Sequence, residues 1–205
     1  MSGSLVWIAV GLGLAVSMLR RRSAAIAVVT AQSLTVAAGA AFLTPERSEE
    51  FFGASLALVV RGVLLGALLA WTLRRTREPR PVDLGIEPLV RLTAVVAIAF
   101  AVAALVPSFG LETRSAEQAA AALVAIGMAT VVARRGTLFQ VLGLLVAENG
   151  VALAASAVPG GIPIVIELGV LFDVIVVIAV ATAFHERIFG EFGTGDTALL
   201  RGLRD

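Results

Sequence analysis

The sequence predicts an all-α integral membrane protein with seven transmembrane helices, and three observations predict it. The composition is 59% hydrophobic with a mean hydropathy of +0.97, well above the roughly 45–50% apolar share of soluble domains. The apolar residues gather into seven runs, most of them close to the ~20 residues that a bilayer crossing requires. The connections between runs are short and rich in turn residues.

The first run, 3–19, has no basic residue before it and Arg20, Arg21 and Arg22 directly after it. That is the flank of a retained anchor with its N-terminus outside, not of a cleaved signal. The second run, 24–43, ends at "TPERSEE"; the third, 52–72, leads into the basic "RRTREPRPVDLGIEP"; the fourth, 90–108, ends in "PSFGLETRS". The fifth and sixth, 117–133 and 137–157, are separated by Arg134, Arg135 and Gly136, and "PGGIP" precedes the seventh, 162–184. All seven prolines (Pro45, Pro79, Pro81, Pro88, Pro107, Pro159 and Pro163) fall in loops or at span ends, so no span is broken by one.

Arginine placement gives an orientation. All 16 basic residues are arginine; on the seven-span reading 13 lie on one side, only Arg47 and Arg114 on the other, and Arg61 is mid-span. The positive-inside rule then places the N-terminus outside and the C-terminus in the cytoplasm of a multi-pass cell-membrane protein. Cysteine is absent, which excludes disulfides, thiolate metal sites and iron–sulfur ligation, and the single histidine, His185, excludes bis-histidine haem within this chain. No cofactor is expected.

"RRSAAIAVVTAQSLTVAAGAAF" from Arg21 parallels "RRGTLFQVLGLLVAENGVALAASAV" from Arg134, and a shift of 113 residues lays spans 1–3 on spans 5–7. The expectation is a parallel 3+1+3 repeat about an axis along the membrane normal. It divides the chain into a three-helix unit (1–75), a linker with the fourth helix (76–116), a second three-helix unit (117–185) and a cytoplasmic tail (186–205), in which a short helix capped by Thr194 or Asp196 is expected.

Against this apolar background the polar residues stand out. Arg61, Glu148 and Asp173 all fall near the middle of their runs, Glu167 lies toward the outer end of span 7, and Gln32 is mid-span in the first unit. Ionisable groups inside a membrane are expensive and functional by default, so Glu148, Asp173, Arg61 and Glu167 are the candidate proton-translocating residues. Asn149, Gln32 and His185 are the supporting polar ones. Asn149 points ~100° away from Glu148 on the same helix, the position of an interhelical hydrogen-bonding group. Arg61 and Asp173 occupy nearly equivalent places in the two repeats. They are readable as a structural salt bridge or as stations whose pairing changes. His185, at a helix C-terminus, fits a favourable end charge better than a proton entry. Gly62 and Gly66 permit close helix approach.

The block from Arg134 to Phe184, with "ENG" and "ELGVLFDV", and the terminal "GDTALLRGLRD" resemble the membrane component E of hydrogenase-4. In its last three helices that family is related to the K-type subunit of respiratory complex I and the C subunit of Mrp-type antiporters. The resemblance makes 117–185 a K-type-like unit. It implies a subunit that is not an enzyme by itself but part of a multi-subunit oxidoreductase, contributing charged residues to proton or Na⁺ translocation. Implied partners are antiporter-like membrane subunits, indirectly a NiFe and iron–sulfur peripheral arm, and the lipid bilayer; no nucleic acid is expected. Glu148 would stand for the K-type subunit's membrane-embedded carboxylate, about one helical turn deeper than a gapless match, which puts Leu145 there. Asp173 would stand for the second acid. Arg61 replaces an expected lysine, which favours a fixed counter-charge because arginine does not readily release its proton. Two rivals remain: a small-solute transporter of SWEET-like plan, against which the proline-free spans and sparse aromatics argue, and a purely structural assembly subunit clamped by Arg61 and Asp173.

Overall fold

The computed structural model of the chain describes residues 3–43, 49–76, 87–111, 113–134 and 136–158, with Ala179, Thr182, Arg187 and Gly190 beyond them. These residues form six helices: α1 (Gly3–Met18), α2 (Arg22–Leu43), α3 (Glu49–Thr76), α4 (Pro88–Leu105), α5 (Arg114–Ala133) and α6 (Thr137–Ser156). Span 7, Glu167, Asp173, His185 and the tail helix expected at Thr194 lie outside the described residues.

The ends of the helices follow local chemistry. Pro88 opens α4, where its missing N–H removes a donor that a first turn leaves unpaired anyway. Thr113 caps α5, its hydroxyl accepting from Ala116 N at 3.3 Å. The α4–α5 connection turns at Gly110, whose φ of +77° suits a residue without a Cβ. It is fastened by Glu117, which accepts from Ser108 Oγ, Phe109 N and Leu111 N and pairs with Arg114 at 2.8 Å.

The all-helical expectation holds among the described residues, and the expectation of seven transmembrane helices is corrected. Among the described residues only α5 and α6 are long and apolar enough to cross a membrane, judged by length and composition. The apolar stretches Ser4–Met18, Val59–Trp71 and Leu89–Leu105 are shorter. At 1.5 Å per residue each falls short of a ~30 Å hydrocarbon core. α3 is long, but glutamates and arginines occupy both its ends; α2 is diluted by Thr30, Gln32, Ser33 and Thr35. The N-out, C-in orientation and the 3+1+3 plan rested on the seven-span count and go with it.

Packing places α1, α2, α5 and α6 at the centre, with α3 against α2 and α4 against α5. The most extensive contact is α5 on α6, and glycines bring it about. A Cβ on Gly127 would press on Ala147 N and lie 2.5 Å from Gly143 O; one on Gly143 would lie 2.8 Å from Gly127 O; one on Gly150 would lie 2.7 Å from Ala120 O. The backbones therefore touch where side chains would ordinarily intervene, the small-residue mode of close helix packing. Leu123, Ile126, Phe139, Leu142 and Val146 fill the space around these contacts and are fully buried.

Gly127→Val is expected to destabilise the fold by about 1–3 kcal/mol through overpacking, seen as a lower melting temperature of the purified protein. Gly11→Ala, where an added Cβ meets nothing within 4 Å, is expected to leave it unchanged or slightly raised.

Candidate functional site

Four helices converge on one polar cluster inside the bundle. Arg61 comes from the middle of α3, Gln32 and Ser33 from the middle of α2, and Glu148 and Asn149 from α6, while α1 supplies a backbone carbonyl. Gln32 is fully buried and Asn149 is 2% exposed; Arg61 is 4% exposed.

Asn149 is the hub. Its amide nitrogen donates to Gln32 Oε1 at 3.0 Å and to Ser33 Oγ at 3.0 Å. Its carbonyl oxygen accepts from Ser33 Oγ at 3.1 Å and from Arg61 Nη2 at 3.4 Å. Gln32 spends its own nitrogen on the carbonyl of Ala9 in α1, at 2.9 Å. Two glycines make the room: a Cβ on Gly13 would lie 2.9 Å from Gln32 Nε2, and one on Gly62 would lie 3.0 Å from Ser33 Cβ. Gly66, one turn further along α3, leaves space for Thr30. Gly62 and Gly66, expected to permit close helix approach, thus make room for hydroxyl side chains, and Gly13 makes room for the Gln32 amide.

Arg61 Nη2 lies 3.0 Å from Glu148 Oε1. The contact is an ion pair without hydrogen-bonding alignment, because Glu148 Oε1 has no hydrogen-bond donor and Arg61 Nε has no acceptor. The Glu148 side chain keeps 14% of its surface exposed. A buried pair is secure only when further hydrogen bonds satisfy its remaining lone pairs and protons. Glu148 lacks them.

Glu117 provides the contrast. It is a more fully buried acid at the start of α5, and it accepts from four donors in Ser108, Phe109, Leu111 and Arg114. A carboxylate so completely bonded holds a loop in place. Glu148, with one off-axis cation, retains free acceptor positions in an apolar setting.

At the bundle end formed by the C-termini of α1 and α5, Arg134 donates to the carbonyl of Leu19 and stacks over Phe139 with its guanidinium carbon 3.5 Å from the ring centroid. Burial first, and the nearby Arg91 charge second, push the Arg134 guanidinium below its ordinary pKa; it stays cationic at neutral pH because guanidinium is a very weak acid.

The sequence-predicted residues are thus partly assembled. The structure brings Gln32, Arg61, Glu148 and Asn149 together, and Arg61 is in contact with Glu148. Asp173, Glu167 and His185 lie outside the described residues, and with them the Arg61–Asp173 pairing. Ser33 was not singled out in the sequence, since a serine in a helix carries no signal beyond its place next to Gln32. Glu117 was not singled out either, since an acid in a first turn is ordinary.

The chain is 33% identical over 167 residues to a protein of Mycobacterium tuberculosis whose name is "Uncharacterized protein Rv0085", across 73% of this chain and 74% of that relative. The chain belongs to that protein's family. No protein-family model and no solved structure matches the chain. The name of the family member states no activity, so the function of the site is argued from its chemistry.

Arg61→Gln is expected to destabilise the protein by about 3–5 kcal/mol, because it leaves a buried carboxylate without its cation. The double variant Arg61→Gln/Glu148→Gln should recover most of that loss, as a thermal-unfolding double-mutant cycle would read.

Proposed function

We propose that the chain is a non-catalytic, multi-pass subunit of the cell membrane, belonging to a hydrogenase-like or complex I-like redox assembly. In this reading Glu148 with Arg61 takes part in coupling electron transfer to proton or Na⁺ movement. The observation that carries it is the Arg61–Glu148 contact: a carboxylate facing a permanent cation, deep among apolar helices, with acceptor positions left open. A group of that kind can bind a proton or a small cation and give it up again. The neighbouring cation shifts the balance between the two states. An intramembrane acid of this sort is a functional site by default.

The membrane placement is supported by more than α5 and α6. Large apolar side chains stand on the outside, among them Phe100, Leu105 and Val132 at 74%, 82% and 84% exposure. Arg61, Gln32 and Asn149 are inside. That is the reverse of the partition expected for a chain surrounded by water. The redox assembly is supported by the resemblance of 134–184 to component E of hydrogenase-4. The proline-free apolar runs and sparse aromatics of the sequence make the small-solute transporter the weaker alternative.

The purely structural reading is tested by comparing the two acids. Glu148→Gln leaves Arg61 without its anion and should lower the level of the assembly, and in the complexes that do form it should lower redox-driven proton translocation several-fold, measured as acidification per electron in membrane vesicles. Glu117→Gln should also lower the amount of folded protein but leave coupling per assembled complex intact. Normal coupling per assembled complex in Glu148→Gln would refute the role.

A further inference from the structure

A groove runs between α4 and α5. Its volume is about 470 Å³, within the range of small-molecule sites. Its walls are apolar, with Ile98 and Val102 on one side and Met128 and Val132 on the other, and Arg91 lies at one end. Arg91 is only 2% exposed, yet none of its three guanidinium nitrogens has a hydrogen-bonding partner. Arg134, also 2% exposed, leaves Nε and Nη1 unpartnered. The charge of Arg20 acts on Arg91, and that of Arg91 acts on Arg134. Among the described residues the ion pairs are Arg61–Glu148 and Arg114–Glu117, so no carboxylate there neutralises this group.

A buried cation without acceptors is strongly unfavourable, and Arg91 beside a second buried guanidinium with two unpartnered nitrogens calls for an anion. Guanidinium forks match phosphate oxygens in pairs. A free anion would satisfy the arginines and leave the apolar slot unfilled; an apolar molecule would fill the slot and leave the arginines bare. An amphiphile with an anionic head does both. We propose that this groove binds one anionic phospholipid, its phosphate on Arg91 beside Arg134 and an acyl chain between α4 and α5. Basic pockets between membrane helices bind lipid head groups in this way. The inference rests on the membrane placement proposed above and is independent of the redox coupling.

Native mass spectrometry of the full-length protein in mild detergent tests it, with phosphatidylglycerol titrated against phosphatidylcholine of the same chains. The expected result is a one-to-one phosphatidylglycerol complex at about tenfold lower lipid concentration than phosphatidylcholine. That preference should vanish in Arg91→Gln. Ala94→Trp, which fills the groove from an exposed position, should weaken binding of phosphatidylglycerol at least as much, so the proposal does not depend on one variant folding. Glycerol phosphate, the head without its chains, should form no complex at the same concentration. Equal binding of the two lipids, or an unchanged preference in Arg91→Gln, would overturn the site. Full binding by glycerol phosphate would make it a free-anion site and overturn the lipid. A dimer that depends on Arg91 would give the groove to a second copy and overturn it equally. Recovery of the protein in the soluble fraction would remove the membrane placement itself, whereas failure of lipid selectivity in membrane-extracted protein removes only this inference.

Discussion

A guanidinium and a carboxylate meet at 3.0 Å inside a helical bundle whose walls are otherwise apolar. Neither charge is tolerable there alone, so the bundle is arranged around their meeting. α3 brings Arg61, α6 brings Glu148, and the next residue on α6, Asn149, ties both helices to Gln32 and Ser33 of α2. Gln32 extends the connection to the backbone of α1. Four helices are thereby held in one register relative to each other by a single chain of hydrogen bonds. Apolar packing alone would specify that register weakly, since low-complexity helices rich in alanine and valine pack in many similar ways.

The two buried acids show how one residue type serves two purposes. Glu117 is surrounded by donors and locks the α4–α5 connection against the start of α5. Glu148 is left with spare acceptor positions and one cation approaching off the hydrogen-bonding direction. The first arrangement maximises stability at a loop. The second leaves acceptor positions open beside a cation, which is what the proposed coupling role asks of it.

Much of this was legible in the sequence, and the limits are physical ones. The six described helices lie within a few residues of the first six apolar runs, because apolar runs bounded by arginine, proline and glycine end where the backbone must turn. Gln32, Arg61, Glu148 and Asn149 announced themselves by being polar where neighbours are not. Their gathering into one cluster was not legible, because it depends on which helices pack together. The nearly equivalent places of Arg61 and Asp173 suggested one pairing, which lies outside the described residues; within them Arg61 meets Glu148. Ser33 was hidden by being an ordinary helix residue. The count of membrane crossings was overread: hydropathy sees an apolar run, but the helices carrying Gln32, Arg61 and Arg91 are too polar or too short in their apolar portion to pass as spans on their own.

Purification of the full-length protein from its own membranes in a mild detergent, with identification of whatever remains bound in stoichiometric amount, tests the central claim most directly. The account predicts large antiporter-like membrane subunits together with iron–sulfur or nickel-containing partners. A chain that emerges alone, or only with copies of itself, would contradict it and return the Arg61–Glu148 pair to a structural role or to solute transport.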